Sequence, residues 1–493
     1  PLATRERLGS LFAVLNQTTT FLTRRNTLDS LTRADVVIAP ELSEISSGAF
    51  ELIGEAIERG SAAAKAAAPE LSRYALDEAG WSEHLRRRGR GEPPPASPVV
   101  SEIRVEGTDI VDPRVVLGRV RTRVGAPLDL AVLREDMARV FGLDDFQRVS
   151  FDVRPAPDGN VLTFDVREKP WGPTYIRFGV EVVDDLEGDA AYGARVGITR
   201  TRLNARGGEW RSELQLGSLQ RAFTELYQPL DFRGRWFVAP WLSAERANQP
   251  IFLDGTKIAE YDVRWAGGGI DVGAQFGRFG EIRVGVARQK VEATVETGAA
   301  DLPSFDVDSG GFRFAFAVGT IDRPAIPRKG FVFGVQGGFS REALGSDAQY
   351  DRVQFGGAKF VNRGRHTVFF GVDAGTNLGS TLPVYDEFAI GGLLSLGGFS
   401  QGELRGQVFA VGRVGYHFRI ATLPAGFGEG IYVGTLFEIG NTWESRSAAS
   451  LDDLRHGTTV ILGLDTFAGP VFLAYGVAEG GGDRFYLTVG RSF

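Results

Sequence analysis

The sequence predicts a mainly β chain: a C-terminal transmembrane antiparallel β-barrel of about 16 strands, preceded by one small α+β domain and the C-terminal fragment of an α/β domain. Composition is the first of three observations behind this. Of 65 glycines 53 lie after Pro170, with 28 of the 35 phenylalanines and six of the seven tryptophans, so two kinds of polypeptide share the chain. Second, from Trp171 onward apolar and polar residues alternate between Gly, Asp, Asn and Pro turns, the pattern of strands with two unlike faces. Third, no window approaches 18 consecutive apolar residues, which excludes a membrane-spanning helix and leaves a barrel open.

Taken in order, residues 1–85 read helix, strand, helix. Leu8, Leu11, Phe12, Leu15, Phe21, Leu22 and Leu28 recur at helical intervals over 5–31. ADVVIAP at 34–40 is an apolar run closed by Pro40, as expected of a strand covered on both faces. Ser46 or Ser47 is placed to cap a helix carrying Phe50, Ile53 and Ile57. One strand cannot build a sheet, so this segment is expected to be a fragment whose remainder lies upstream of Pro1. Residues 86–98, with clustered Arg and four prolines, read as an extended linker.

Residues 99–169 read strand, helix, helix, strand, strand. EIRVEG at 102–107 alternates, Asp112-Pro113 is an N-cap followed by Pro at the first helical position, and Asp129 opens a helix holding Leu133, Met137, Val140 and Phe141. VSFDVRP and VLTFDVRE then form a hairpin about a turn at Pro157–Asn160.

Residues 170–493 are the expected barrel. Trp210, Leu214 and Leu216 share one face, Glu209, Arg211, Glu213 and Gln215 the other. Phe312, Phe314, Phe316 and Val318 repeat the scheme, as do Val471, Leu473, Tyr475 and Val477, opposite small or charged residues. Lipid outside and polar or small residues inside requires closure, because hydrocarbon satisfies no open sheet edge. At about 20 residues per strand and connection, this length gives about 16 strands.

Several function classes are set aside by the residues themselves. A net charge of −7 leaves no basic footprint for nucleic acid. With no cysteine there is no thiol catalysis and no Cys-type zinc site. His84, His366, His417 and His456 are scattered and lack metal-ligand spacing, and the acid pairs Asp184-Asp185 and Asp452-Asp453 lack calcium-loop spacing, so neither metal nor cofactor is expected. Gly267–Gly269 and Gly480–Gly482 are not followed by Lys-Ser/Thr or a helix, and read as strand ends and turns. Gly398-Phe399-Ser400-Gln401-Gly402 satisfies G-x-S-x-G, but an alternating strand follows it where a nucleophile elbow needs a helix. No catalytic residue is assigned.

The order of elements over 99–169, with GLDDFQRV at 142–149, resembles a POTRA domain, the periplasmic module preceding outer-membrane barrels. FYLTVGRSF at the chain end places Phe485, Leu487, Val489 and Phe493 on one face and resembles the C-terminal insertion signal of bacterial outer-membrane barrels. Taken with ADVVIAPELSEISSGAFE, EKPWGP at 168–173, TRLNARGGEWRSELQLG at 201–217, LYQPLD at 226–231 and LAYGVAEGGG at 473–482, the chain resembles the patatin-fused autotransporters of Gram-negative bacteria, within the surface-antigen and assembly-barrel superfamily.

That resemblance implies a parent lipolytic acyl hydrolase acting on phospholipid, anchored or exported by its barrel. It places the POTRA domain in the periplasm and the patatin part in the periplasm or at the surface. Outer-membrane lipids, the barrel assembly machinery and periplasmic chaperones are the implied partners. The Ser–Asp dyad of patatins has no counterpart here, so this chain is expected to be inactive as a hydrolase. The alternative is a dedicated two-partner-type secretion or outer-membrane assembly barrel without enzymatic activity; a third reading is a passive pore lacking a luminal loop. In the wider superfamily a V/I-R-G-F/Y loop enters the lumen and its Arg meets a wall acid. Here the loop reads Leu396-Gly397-Gly398-Phe399, with glycine in place of the Arg, Glu438 at the acid's position, and Arg405 as an expected substitute partner.

Overall fold

The computed structural model describes residues 31–42, 45, 52–87, 97–185, 190–253, 255–277, 279–298, 302–423, 427–467 and 469–490. Its contacts divide the chain into residues 1–96 and 97–493.

In the first unit, α1 (Ile53–Ala66), α2 (Ala68–Leu71) and α3 (Glu78–Arg87) bury none of their residues. The expected strand over 34–40 does not form: these residues pair with no strand among the described ones, and Val37 and Ile38 are exposed. An apolar run becomes a strand only where a ladder exists to receive it. The helix expected over 5–31 and the caps Ser46 and Ser47 fall outside the described residues, Leu31 aside. The linker begins later than expected, since α3 runs through Arg86 and Arg87 with both guanidiniums on Glu83.

The second unit starts with a sandwich of two helices on a three-stranded sheet. β1 (Val100–Glu106) pairs in parallel with β3 (Gly159–Glu168), which pairs antiparallel with β2 (Phe146–Ala156). The helices are α4 (Pro113–Leu117) and α5 (Leu130–Phe141). Each starts on the expected aspartate: Asp112 accepts from the Arg114 amide at 2.9 Å and Asp129 from the Ala131 amide at 2.7 Å, filling donors a helix start leaves free. Val116, Leu133, Val140, Phe146, Leu162 and Phe164 fill the space between helices and sheet. Buried among them, the Asp136 carboxylate accepts from the Arg121 and Thr122 amides at 2.8 and 2.9 Å and from the Thr122 hydroxyl at 2.6 Å, and it also pairs with Arg139.

Beyond it come β4 (Thr174–Asp184), β5 (Ala190–Arg200), β6 (Glu209–Gly217), β7 (Leu219–Pro229), β8 (Trp236–Leu253), β9 (Thr256–Gln275), β10 (Gly280–Thr297) and β11 (Phe305–Gly319). Then follow β12 (Gly330–Ser340), β13 (Tyr350–Arg363), β14 (His366–Thr376), the short β15 (Phe388–Ile390) and β16 (Leu404–Gly406), β17 (Val408–Ala421), β18 (Gly428–Trp443), β19 (Arg455–Thr466), β20 (Gly469–Ala478) and β21 (Asp483–Gly490). Among the described residues, sixteen of these strands close into one antiparallel barrel in which β21 meets β4, while β15 and β16 pair only with each other.

Alternation sorts the wall as a membrane requires. Phe178, Trp210, Leu214, Leu216, Phe312, Phe370 and Leu473 are exposed on the outside. Inside, Arg283 meets Glu225 at 2.5 Å and Glu281 at 2.7 Å, and Arg211 meets the same Glu225 at 3.3 Å. The Gly267–Gly269 run corrects the turn reading, for it lies within β9. A Cβ at Gly269 would come within 2.8 Å of the Trp241 ring, so glycine there makes room for an inward aromatic on β8.

The small domain is tied to the barrel end carrying the β5–β6 and β7–β8 turns. Arg202, at φ +59°, forms an ion pair with Asp145 that is almost wholly buried. The Arg114 guanidinium stacks 4.3 Å from the Phe232 ring centroid, and a Cβ at Gly118 would stand 2.7 Å from the Phe232 carbonyl oxygen.

Candidate functional site

Two places depart from a plain barrel, and both follow from local sequence. The first is the segment 377–407 between β14 and β17, which does not stay outside but folds into the lumen. Gly391, Gly392, Gly398 and Gly402 all sit at positive φ, where glycine costs least, so the chain can turn tightly about its tip. The apolar residues of the tip supply the drive: Leu396 and Phe399 are fully buried against Ile390 and Val411.

The four expected loop residues and the wall acid come together. The Gly397 amide donates to Glu438 Oε2 at 3.0 Å, the Gly398 amide to the Tyr486 hydroxyl at 3.2 Å, and that hydroxyl donates to the Phe399 carbonyl at 3.3 Å. The Gly482 amide closes on the Gly398 carbonyl at 2.9 Å. Glu438 is 0% exposed. A side chain at Gly397 has nowhere to go, since its Cβ would lie 2.4 Å from Thr459 Oγ1. At Gly398, φ is +123° and a Cβ would lie 2.5 Å from the Ala478 amide. The loop therefore lies flat on the wall and offers Glu438 a backbone amide in place of a guanidinium.

Arg405 is not the substitute partner. It lies in β16, its Nε 3.6 Å from Glu387 Oε2 and its Nη2 2.6 Å from the Val384 carbonyl oxygen, so it braces the base of the loop. The cation facing Glu438 is Arg413, whose Nε is 3.5 Å from Glu438 Oε1 and whose other end pairs with Asp373. Arg413 and Glu438 are register partners on β17 and β18, which puts both on the lumen face by construction. Ser400, buried in the same loop, takes Glu403 on its backbone amide at 2.7 Å. Among the described residues no group of His, Asp or Glu is arranged to hold a metal ion.

The second place is the seam. β4 pairs with β5 along its whole length, whereas on its other side it meets β21 from Leu487↔Asp184 to Gly490↔Glu181. Thr174–Val180 of β4 have no strand partner on that side among the described residues, and there Phe178 is 75% exposed. Gly490 sits at φ +118°, close against β4, where a Cβ would stand 1.7 Å from the Val180 carbonyl oxygen. Of the expected insertion signal, Phe485 and Val489 are exposed on the outer face and Leu487 is partly buried, while Phe493 lies outside the described residues.

Over 203–493 the sequence matches the Omp85 superfamily domain, more than half of the chain. The chain belongs to the Omp85 superfamily. Residues 98–169 match the POTRA family, described as a surface antigen variable number repeat. The protein is thus an Omp85 outer-membrane barrel with a POTRA domain ahead of it. Over 71 residues, 14% of this chain, it is 39% identical to the outer membrane protein assembly factor BamA of Nitratidesulfovibrio vulgaris, a match spanning 9% of that relative's length.

Among solved structures, BamA from Haemophilus ducreyi lacking POTRA domains 1–3 superposes with a TM-score of 0.61 at 15% identity, covering 80% of this chain and 84% of that one. CdiB from Escherichia coli gives 0.55 at 12% identity, over 97% of this chain and 98% of its own. These likenesses are of fold. Neither family match touches residues 1–85, so the patatin-like reading of that segment gains no support from them.

Proposed function

We propose that this Omp85 barrel receives extended β-clients delivered by its POTRA domain and releases them into the outer membrane through the β4–β21 seam, as an assembly-type barrel with no enzymatic activity of its own. The observation that carries this reading is the Thr174–Val180 edge of β4, which has no strand partner among the described residues. Backbone groups at membrane depth demand partners, so an edge of β4 facing hydrocarbon is a place where another strand gains by pairing. Meanwhile the loop held on Glu438 occupies the lumen, which leaves the seam as the weaker element of the wall. The N-terminal segment enters the proposal neither as a lipase nor as a cargo, and the reading of a barrel anchoring a patatin-like enzyme is not adopted.

The test is site-specific photo-crosslinking. A photoreactive phenylalanine analogue at Phe178, on that edge of β4, is expected to capture an unfolded outer-membrane barrel protein during its membrane insertion, and the same analogue at Phe370, on a fully paired strand, is not. Equal capture at both positions, or at neither, contradicts the proposal.

A further inference from the structure

The lumen contains a cavity that neither the docked loop nor the seam accounts for. Its volume is about 430 Å³, within the range of about 300–1,000 Å³ typical of small-molecule sites. Phe360, Phe369, Ile461 and Phe472 line it from β13, β14, β19 and β20. Ile326, from the turn joining β11 to β12, closes it from one end of the barrel, and Leu394, in the loop from the other end, faces it at φ +65°. A barrel interior is ordinarily polar, so a mainly apolar lining, interrupted by Arg413, Thr435 and the His417–Tyr432 side, is a departure inside one.

The lining is also shaped. Gly415 is the register partner of Phe369 and Gly463 that of Phe472. A Cβ at Gly415 would stand 2.1 Å from the Phe369 ring, and one at Gly463 would stand 3.1 Å from the Phe472 ring. Each ring thus leans over a glycine and leaves the space in front of it open. Open space between aromatic and aliphatic side chains of this sort favours apolar ligands.

Polar groups gather at the side nearest the β11–β12 turn. Tyr432 lines the cavity and is 3% exposed, yet its hydroxyl makes no hydrogen bond among the described residues. His417, ring to ring with Tyr432 at 5.5 Å, has Nε2 3.2 Å from the Pro327 carbonyl oxygen and Nδ1 without a partner among the described residues. Arg419 is the register partner of Tyr432, and Arg328 reaches the Asn362 side-chain oxygen at 3.2 Å and the Gly364 carbonyl at 2.7 Å. Neither guanidinium is in an ion pair among the described residues, whereas Arg323 beside them is matched by Glu429 at 2.6 Å. Of the acids at this rim, Asp322 accepts the Arg328 and Lys329 amides at 2.9 and 3.0 Å, and Asp465 lies near Tyr432.

We propose that the cavity binds a free single-chain carboxylate amphiphile of the fatty-acid class, its acyl tail among Phe360, Phe369 and Phe472 and its head toward Tyr432, Arg328 and Arg419. A two-chain phospholipid is too large for this space, and bilayer lipid stands on the other side of the wall. The site goes beyond the client reading and does not rest on it.

The test uses the full chain in phospholipid nanodiscs, titrated with 11-(dansylamino)undecanoic acid. Native protein is expected to give saturable one-site fluorescence enhancement, reversed by palmitate. Gly371→Leu places a side chain into the cavity from a position where a Cβ meets only ordinary contacts, at 3.6 Å or more, and is expected to weaken binding about tenfold or more. Arg328→Gln and Tyr432→Phe are expected to weaken it severalfold, and the lipid-facing Phe370→Leu to leave it unchanged. Folding of each variant is read from heat-modifiable gel migration; if Gly371→Leu does not fold, Ala358→Phe fills the same space. Enhancement no greater than in empty nanodiscs, or native affinity in the filled variant, overturns the site. Equal affinity for the corresponding dansyl alcohol overturns the head assignment.

Discussion

Replacing Glu438 by Gln and Arg413 by Gln, singly and together, probes how the loop is held. Arg413 Nε and Glu438 Oε1 are 3.5 Å apart and the carboxylate is fully buried. At an effective dielectric of about 20 the attraction is about 5 kcal/mol. Desolvation offsets much of it, and Asp373 shares the same guanidinium. A coupling energy of about 1–3 kcal/mol is therefore expected between the two positions, with each single change costing more than the coupling suggests because it strands the partner. Arg405→Gln is the control. Arg405 is held by Glu387 and the Val384 carbonyl, so its effect should add to that of Glu438→Gln within about 0.5 kcal/mol. The assay is urea unfolding from lipid vesicles followed by tryptophan fluorescence. Additivity of Glu438 with Arg413, or a coupling with Arg405 as large as that with Arg413, refutes the assignment.

Gly397→Ala should undock the loop, because its Cβ falls 2.4 Å from Thr459 Oγ1, and single-channel conductance should rise above native as the lumen opens. In the POTRA domain, burial pushes the Asp136 carboxyl up, but hydrogen bonds from the Thr122 hydroxyl, the Arg121 and Thr122 amides and Arg139 outweigh it and hold the group below the usual carboxylate range. A depressed folded value means the stabilisation is complete above the ordinary carboxylate pKa and is lost as pH falls through the folded one. Hydrogen exchange over 119–141, corrected for intrinsic rate, should therefore lose protection in acid, and Asp136→Asn should cost about 2–3 kcal/mol at neutral pH by the same measurement. Arg202→Ala removes the buried pair with Asp145 and should broaden POTRA-to-barrel distances measured between spin labels, leaving the folded barrel band on gels intact.

What could be read from sequence follows from periodicity. Strand faces such as Trp210/Leu214/Leu216 against Gln215, and the capped helices at Asp112 and Asp129, are local signals, and each stands as expected. The failures are non-local. ADVVIAP has a strand's composition but no ladder beside it, and composition is silent about partners. Gly267–Gly269 looks like a turn until Trp241 is known to lie across it on β8. The missed residue is Arg413. A cation sought near the loop points to Arg405, whereas Arg413 is set opposite Glu438 by the β17–β18 hairpin. Pairing outward from that hairpin turn was the signal that could have found it. That Thr174–Val180 of β4 meet no strand partner among the described residues has no local signature at all, since the pairing of β4 with β21 joins strands some 300 residues apart in sequence.

The seam is the element on which the whole account turns, and this chain permits a clean test because it has no cysteine. Val182 and Val489 are register partners across it. A Val182→Cys/Val489→Cys protein, reconstituted in liposomes, should lose its acceleration of folding of an unfolded outer-membrane barrel protein when oxidised and regain it on reduction. A locked seam that leaves client folding as fast as in the reduced protein would contradict release between β4 and β21.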